Sequence, residues 1–485
     1  MKRLVTRSVK KFILLFPLMS ALVAWSSGQV QAQHGSTSNN MALVGFNDLQ
    51  NRSTYQPLVH QQGRRWIAYL GHHGGSALNP LTNTVENNGT SIVDVTDPAN
   101  PVYLRHLPGP SGVGEAGGAQ MVRVCNGTDL PGVTPADIEG VFLLRSFGGE
   151  AHQVWDVRNP ANPVLRSTPS MGLNDTHKSD WECDTGIAYL VSGVPGWRVD
   201  RMTQIFDLSN PRAPVHIRDY GLVGQEPGST GEEPTELHGP LSKDDRVYFG
   251  HGTSSNGIVQ IVDRLKLITG CDAPGASANC KTNPTPADLR FPIISQFDTT
   301  PLVGAHTTFP IHGVPVPKLG LFNVPPDGVR DILAIVNEST ANECSGESHQ
   351  MAFFADVTIG SKPQVISSFY VPDPDDVFCQ RGGRFGAHSS NESYTPIYYG
   401  KIVFIAYFNA GVRAVDIRDP FRPKEVGFYV PATTDKTDPR AGKIAIQTNN
   451  VDVDNRGLIF IVDRANTGMH ILQLTGDAAL IAQAK

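Results

Sequence analysis

The side chains of this 485-residue chain that could do chemistry are above all its histidines. Imidazole is the commonest nitrogen ligand for transition metals in proteins, and several imidazoles held by rigid strands make a preorganised metal site. Ten of the fifteen histidines stand either at the entrance to a predicted inner strand or after a buried strand. These ten are His72, His73, His152, His177, His238, His251, His306, His312, His349 and His388.

The segment GEAHQVWDVRNPANPV, at 149–164, shows how such a histidine is placed in a repeat. Its front half returns as GESHQMAFFADV, and its back half returns as SIVDVTDPANPV, TQIFDLSNPRAPV and VRAVDIRDPFRPKEV. The proline after each aspartate ends the strand, because proline cannot donate to a sheet ladder. One repeat spans about 50 to 60 residues, with one insertion. The repeated aspartates are Asp94, Asp156, Asp207, Asp263, Asp356 and Asp416.

Seven continuous apolar runs, one in each repeat, predict strands that are buried on both faces. These runs are WIAYL (66–70), VFLLR (141–145), IAYLV (187–191), VYFG (247–250), ILAIV (332–336), IVFIAY (402–407) and LIFIV (458–462). A further strand follows each proline turn, as in VISSFYVP. Seven units of four antiparallel strands predict an all-β protein, a seven-bladed β-propeller.

The last repeat lacks a fourth strand of its own after MHILQL (469–474). ALVGFNDL (42–49) matches KEVGFYVP (424–431) in its VGF core, so we predict that residues 42–48 complete the last blade and close the ring. The predicted organisation is a signal peptide at 1–32, a flexible tail at 33–41, a single propeller at 42–475 and a C-terminal tail at 476–485.

The first 32 residues have the features of a secretory signal. KRLVTRSVKK is basic, FILLFPLMSALVAW is apolar, and Val30-Gln31-Ala32 is a small-residue cleavage site. The apolar run is shorter than the roughly 20 residues of a membrane span, although a retained anchor stays an alternative. We therefore expect a periplasmic or secreted protein with no membrane span after cleavage. Its acidic charge, with no basic run, argues against nucleic acid and anionic membranes as partners.

The six cysteines form no CxxC pair and no CxxCH motif, so thiolate zinc, thioredoxin-type chemistry and covalent haem have no support. An even number of cysteines in an exported protein predicts disulfides. Six cysteines allow 15 connectivities. The predicted blade positions favour Cys125 with Cys183, Cys271 with Cys280, and Cys344 with Cys379.

The strands SIVDVTDP and VRAVDIRDP resemble the repeat of the LVIVD-repeat proteins, which are secreted or surface β-propellers. The resemblance covers most of residues 42–475. It implies the propeller fold and very little about activity, because propellers serve binding, scaffolding and catalysis alike.

The predicted topology sorts the histidines by the end of the propeller at which they lie. Strands alternate in direction, so the connections into inner strands and those between the second and third strands emerge at the same end. Blades 3 to 6 have His177, His238, His306 or His312, and His388 at the entrance to the inner strand, and the others occupy second-to-third connections. Any one of them is equally well explained as a hydrogen-bonding loop residue. The cluster predicts one axial metal site, with His72 as an outer member.

Two acids, Glu150 and Glu347, each precede a histidine by two residues in GEAHQ and GESHQ. They are the catalytic candidates, because a carboxylate there could orient an imidazole or act as a base. The alternative is that both are solvated loop acids. No G-x-S-x-G, HExxH or Walker A pattern occurs, and no organic cofactor site is predicted.

These features favour a metal-dependent oxidoreductase that acts on a small molecule and passes electrons to a periplasmic acceptor. Copper is the favoured metal, with iron or zinc as alternatives. The layout is similar to that of multi-histidine copper propellers such as nitrous oxide reductase and thiocyanate dehydrogenase, although no family motif matches residue by residue. Two alternatives stay open: a non-catalytic LVIVD-type propeller that binds a protein or glycan partner, and a hydrolase that uses zinc-bound water.

Overall fold

The apolar runs of the sequence become the second strands of seven antiparallel sheets in the computed structural model, which describes residues 35–253, 256–315, 328–439 and 442–484. The predicted signal peptide lies outside the described residues. In chain order the first strands are β1 (Thr37–Asn39), β2 (Met41–Asn47), β3 (Thr54–Gln62), β4 (Arg65–Gly74), β5 (Ser76–Asn79), β6 (Thr84–Asn87), β7 (Gly89–Asp94), β8 (Val102–Pro108) and β9 (Gly114–Ala119).

The strands of the central part follow in sets of four. They are β10 (Val122–Asn126), β11 (Val141–Phe147), β12 (Ala151–Asp156), β13 (Val164–Met171), β14 (Asp180–Trp181), β15 (Ile187–Ser192), β16 (Met202–Asp207), β17 (Val215–Tyr220), β18 (Leu237–Lys243), β19 (Arg246–His251), β20 (Ile258–Asp263) and β21 (Ile293–Asp298). The remaining strands are β22 (Thr307–Pro315), β23 (Val329–Val336), β24 (Ala352–Asp356), β25 (Gln364–Phe369), β26 (Ser389–Ser390), β27 (Ile402–Ala406), β28 (Val412–Asp416), β29 (Lys424–Val430), β30 (Thr448–Val453), β31 (Leu458–Asp463) and β32 (Met469–Leu474).

Each blade is an antiparallel meander whose first strand lies next to the axis of the ring. Blade 1 is β3-β4-β7-β8, blades 2 to 5 are the four successive sets from β10 to β25, blade 6 is β26 to β29, and blade 7 is β30-β31-β32-β2. Inner strands of successive blades lie side by side around the ring. The predicted seven-bladed propeller is confirmed.

The ring is closed by the N-terminal segment, as the VGF match predicts. Strand β2 pairs antiparallel with β32, with Met41 opposite Leu474 and Asn47 opposite Met469. Strand β1 adds a fifth, outermost strand to blade 6 by pairing with β29. The boundaries predicted for the single domain stay a prediction.

In the described part of the chain, four short α-helices lie outside the blades. They are α1 (Arg264–Thr269), α2 (Pro286–Arg290), α3 (Val377–Arg381) and α4 (Gly476–Gln483), and short 3-10 helices occupy Leu49–Asn51, Gly127–Asp129, Pro135–Asp137, Gly270–Asp272 and Cys344–Gly346. Helix α2 begins with a capping box between Thr285 and Asp288. No helix among the described residues is long and apolar enough to cross a bilayer.

The apolar core lies between the facing sheets of neighbouring blades. Between blades 5 and 6, for example, Phe309, Ile332 and Phe354 pack with Val403 and Ile405, and all five are buried. Full burial of one such side chain stabilises the fold by roughly 1.5–3 kcal/mol. The blades therefore hold the inner strands in fixed positions around the axis.

All three predicted disulfides are present. Cys125 in β10 bonds Cys183 just after β14, which links the inner strands of blades 2 and 3. Cys271 and Cys280 close a small loop in the insertion of blade 4, and Cys344 bonds Cys379. Three disulfides are consistent with an extracellular or periplasmic protein.

Candidate metal centre

Five imidazole or phenol side chains converge on the axis at the end of the ring where the inner strands begin. All are buried, and each comes from a different blade. They are Tyr55 in β3, His177 before β14, His238 in β18, His306 before β22 and His388 before β26. The strand entrances of blades 1 and 3 to 6 thus supply one side chain each.

Glu338, just after β23, lies between two of these imidazoles. Its Oε2 is 3.5 Å from Nε2 of His306, and its Oε1 is 3.6 Å from Nε2 of His388. The ligand atoms of the three residues all lie within 4.8 Å of one another. Two imidazole nitrogens and a carboxylate are a donor set typical of non-haem iron and of catalytic zinc.

The hydrogen bonds of His388 leave its Nε2 ready to bind a metal. Its Nδ1 is 2.5 Å from the main-chain carbonyl oxygen of Asn449, which can only accept, so Nδ1 carries the proton. The lone pair then lies on Nε2, which is buried and has no hydrogen-bond partner among the described residues. Nε2 of His306 is likewise buried and without a partner there. Unpaired buried polar atoms are costly, and a metal ion held by both nitrogens would satisfy them.

A second group of side chains adjoins this triad. His238 stacks on His306 with ring centroids 3.2 Å apart, and it donates from Nδ1 to the carbonyl oxygen of His306 over 2.6 Å. Its Nε2 therefore also carries a lone pair, 2.9 Å from Nε2 of His177. The hydroxyl of Tyr55 is 3.2 Å from both of these nitrogens. The hydroxyl of Tyr55 and the Nε2 atoms of His238 and His177 thus border the triad.

Burial keeps these imidazoles neutral. Desolvation is the largest cause that lowers the pKa of His177, His238, His306 and His388 well below the ordinary value, and nearby positive groups lower it further. Neutral imidazole is the form that binds a metal. Burial raises the pKa of Glu338 above its ordinary value, although the guanidinium groups of Arg384, Arg464 and Arg201 oppose this rise.

Arginines surround the site and pair with its acids. Nη1 of Arg384 is 2.7 Å from Oε1 of Glu338, and Arg464 is 3.8 Å from the same oxygen. Arg201 binds Glu115 at 2.6 Å and Asp175 at 2.7 Å. Burial alone would raise the pKa of Glu115, but Arg201 and other cations hold it at about 2. Every acid named here is therefore engaged by a cation.

A cavity of about 210 Å³ opens beside this cluster. Its walls include Arg201, Glu236, His238 and Thr253. Because His238 forms part of this wall, a small molecule that enters the cavity would meet the imidazole cluster directly.

A family model described as the LVIVD repeat matches residues 398–430, which contain β27, β28 and β29 of blade 6. The chain is a β-propeller that carries an LVIVD repeat. No curated protein matches it. Raptor of Chaetomium thermophilum is similar to this propeller with a TM-score of 0.47 and 8% identity, over 92% of this chain and 29% of that chain. The propeller thus spans under a third of Raptor, and so remote a similarity supports no argument.

The propeller brings five of the ten predicted histidines to the axis: His73, His177, His238, His306 and His388. His73 lies beside the cluster, with its ring edge-on to Tyr55 at 5.2 Å and its Nε2 3.3 Å from Arg464. Gly118 in β9 helps to place it, since an added Cβ there would come 2.4 Å from the carbonyl oxygen of His72. Only glycine lets β9 pair this closely with the end of β4.

The other five histidines lie in other surroundings. His72 bonds to Thr54 and Ser91 inside blade 1, and Nε2 of His152 contacts the carbonyl oxygen of Val191. His251 is buried, and both its nitrogens are without a hydrogen-bond partner among the described residues. His312 bonds to the hydroxyl of Tyr248 and to Asp244 at the opposite end of the ring. His349 bonds to the hydroxyl of Tyr407. Their predicted role as ligands stays a prediction.

The two candidate catalytic acids do not join the described cluster. Glu150 is exposed in the connection between β11 and β12. Glu347 uses its carboxylate to accept hydrogen bonds from Ser339 and from the main chain and hydroxyl of Thr340. Nothing in these contacts assigns a catalytic role to either acid.

Sequence reasoning missed Glu338 and Tyr55. Glu338 follows the apolar run ILAIV, in the connection between the second and third strands of blade 5. Histidines in such connections were predicted to lie at the axial end, and the same argument applies to this acid. Tyr55 stands at the entrance to the inner strand of blade 1, where four other blades have histidine. A search of these positions for any ligand-capable side chain would have included both.

A second group, Asp373, Asp376 and Cys379, also has ligand atoms within 4.8 Å of one another. The sulfur of Cys379 is bonded to Cys344, so it is not a thiolate. Asp373 already accepts two main-chain N–H groups at the start of α3. These contacts identify a helix start rather than a metal site.

Proposed function

We propose that the axial cluster holds a transition metal and that this propeller is a metal-dependent oxidoreductase acting on a small molecule. The observation that carries the proposal is the triad of His306, Glu338 and His388. Two buried nitrogens, which have no hydrogen-bond partner within the described ranges, face the two oxygens of one carboxylate. A metal ion satisfies all of these atoms at once.

The donors suit iron, copper and zinc alike, and the groups around them favour a redox metal. A bound iron or copper ion supplies one-electron chemistry. Zinc hydrolases commonly use a free carboxylate as the base, but Glu115 and Asp175 are both bound to Arg201, and Glu338 is itself a ligand candidate. The nitrogen-rich surroundings favour copper as the bound metal, and the carboxylate of Glu338 favours iron.

The protein's own groups define what the site does to a substrate. Arg384 and Arg464 hold the carboxylate of Glu338 in place, and the hydroxyl of Tyr55 contacts two imidazoles. The cavity beside His238 admits only a small molecule. We place the protein in the periplasm or outside the cell, where its disulfides persist and a periplasmic acceptor could receive electrons.

Metal analysis of purified protein tests the proposal. Wild-type protein should contain iron or copper at a fixed ratio, with an optical or electron paramagnetic resonance signal that changes on reduction. His388→Ala should lose the metal and the signal. His312→Ala is the matched control, because His312 lies at the opposite end and bonds to Tyr248 and Asp244.

The possible results separate the alternatives. Zinc in place of a redox metal would favour the hydrolase. A protein with no metal, or a His388→Ala variant with wild-type metal content, would overturn the proposal and favour a non-catalytic propeller that binds a partner.

A further inference from the structure

The central channel contains another cavity, of about 270 Å³, at the end of the ring opposite the histidines. Its walls come from the inner strands of several blades and include Gln56, Arg123, Asp180, Ser390, Glu392 and Asp452. A wider recess of about 470 Å³ continues from it past Val59, His60 and Tyr394 towards the turns that follow the inner strands. A layer that contains Lys178 and Glu392 lies between this cavity and the histidines.

Two of the three carboxylates in the cavity wall already have cationic partners. Glu392 pairs with Lys178, and it accepts from Nη2 of Arg123 over 2.6 Å. Asp180 lies 3.6 Å from Nε of Arg123 and accepts from the hydroxyl of Ser242 over 2.7 Å. Lys178 and Arg123 are thus already paired with Glu392 and Asp180.

Asp452 is the third acid, and it has no such partner. It is 8% exposed and accepts from the main-chain N–H of Val59 over 2.7 Å. Within the described ranges no lysine, arginine or histidine nitrogen lies within 4 Å of its carboxylate. Burial raises its pKa to about 7, and the nearby carboxylate of Asp454 adds to this, while hydrogen bonds from Val59, Val453 and Ser393 lower it. A buried carboxylate of this kind favours a cation from outside the chain.

Other unsatisfied groups line the same cavity. Oε1 of Gln56 and the hydroxyl of Ser390 are buried and have no hydrogen-bond partner in the part of the chain that the structure describes, and the two residues are 5% and 1% exposed. Both oxygens can accept a hydrogen bond. Pro57, Leu241 and Val451 form an apolar part of the cavity wall. The cavity therefore combines one unpaired carboxylate, two free acceptors and apolar surface.

An organic cation matches this lining better than a metal ion. Asp452 does not belong to any group of three ligand atoms close enough to hold an ion among the described residues. An alkylammonium ion needs only one carboxylate and two further acceptors for its three N–H donors, and its carbon chain needs apolar wall.

We propose that this end of the channel is a binding site for a small organic ammonium ion, with Asp452 as its counter-ion and Gln56 and Ser390 as further acceptors. The site is distinct from the metal centre and does not depend on it. It gives the propeller a second ligand, which enters from the opposite end of the ring.

Calorimetric titration with n-propylammonium chloride at pH 8 tests the proposal, with butyrate as an anion of similar size. Propylammonium should bind and butyrate should not. Asp452→Asn should weaken binding at least about tenfold, because it removes a charge-assisted hydrogen bond but keeps an oxygen for the N–H of Val59. Ser390→Ala should weaken binding severalfold, and circular dichroism checks that both variants fold.

Asp435→Asn is the control, because the Asp435 side chain is 81% exposed and contacts only the adjacent Lys436 in an ion pair. Absence of propylammonium binding to the wild type would overturn the proposal. Equal affinity of the wild type and Asp452→Asn would overturn it as well, and so would equally tight binding of butyrate. None of these results affects the metal content, so this test and that of the metal centre fail separately.

Discussion

The Nδ1 N–H of His388 donates to the main-chain carbonyl oxygen of Asn449, which lies in the inner strand of the next blade. His238 makes the same kind of bond to the carbonyl oxygen of His306, again in the next blade. Each bond fixes both the tautomer and the direction of an imidazole. The metal centre is therefore aligned by contacts between blades.

We expect Glu338→Gln to weaken metal binding by more than the roughly 10- to 100-fold that is usual for loss of an orienting residue. The change removes the only charged member of the triad and leaves Arg384 without its counter-ion. Competition with a chelator measures the affinity. Glu347→Gln is the matched control, because that carboxylate bonds to Ser339 and Thr340. Equal metal affinity for both variants would contradict the assignment of Glu338 as a ligand.

Removal of residues up to Asn47 should lower the melting temperature much more than removal of residues up to Asn40. The longer deletion takes away β2, so the outer edge of β32 loses its partner and the ring opens. The shorter deletion removes only β1 from the edge of blade 6. Differential scanning calorimetry compares the two. A similar melting temperature for both would show that β2 does not close the ring.

Loss of the disulfide between Cys125 and Cys183 should destabilise the fold more than loss of the one between Cys271 and Cys280. The first closes a loop with a sequence separation of 58, and the second closes one with a separation of 9. The chain-entropy relation gives about 4 and about 2.6 kcal/mol, respectively. Denaturation of the paired serine variants in guanidinium chloride measures both costs, and the reverse order would argue against this explanation.

Asp452 should make the protein less stable as the pH rises from about 4 to about 7. Its pKa is raised to about 7 in the folded protein, so the stability it contributes is present below the unfolded pKa and is lost as pH rises through the folded pKa. The loss is on the order of 4 kcal/mol. Asp452→Asn should remove this part of the pH dependence. Urea denaturation at pH 5 and pH 8 tests it, and an unchanged pH dependence in the variant would refute it.

Most of the fold could be predicted from the sequence, because both the apolar runs and the proline turns repeat along the chain. The apolar runs locate the second strands, and the Asp-Pro turns end the third strands, as at Asp94 and Asp416. The closing strand could be predicted from three residues, because the VGF core of β2 repeats that of β29. The disulfide pairs could be predicted from the positions of the cysteines in the predicted blades.

The site could be predicted only in part, because the topology gives the end at which a residue lies but not the direction of its side chain. Adjacent side chains in a strand point to opposite faces. His72 therefore bonds to Ser91 within its own blade, while its neighbour His73 reaches the ring of Tyr55 at the axis. Glu338 has no histidine close to it in sequence, so the pattern that singles out Glu150 and Glu347 does not include it.

Closure of the ring by β2 also affects the order in which the protein can be completed during synthesis. The segment Met41–Asn47 is made near the beginning, but its partner Met469–Leu474 is made near the end. Contacts between such distant parts of a chain form slowly. The carbonyl oxygen that orients His388 belongs to blade 7, the same blade that β2 completes. A partly synthesised chain therefore lacks the contact that orients His388, and the proposed metal centre becomes aligned only after the last strand is made.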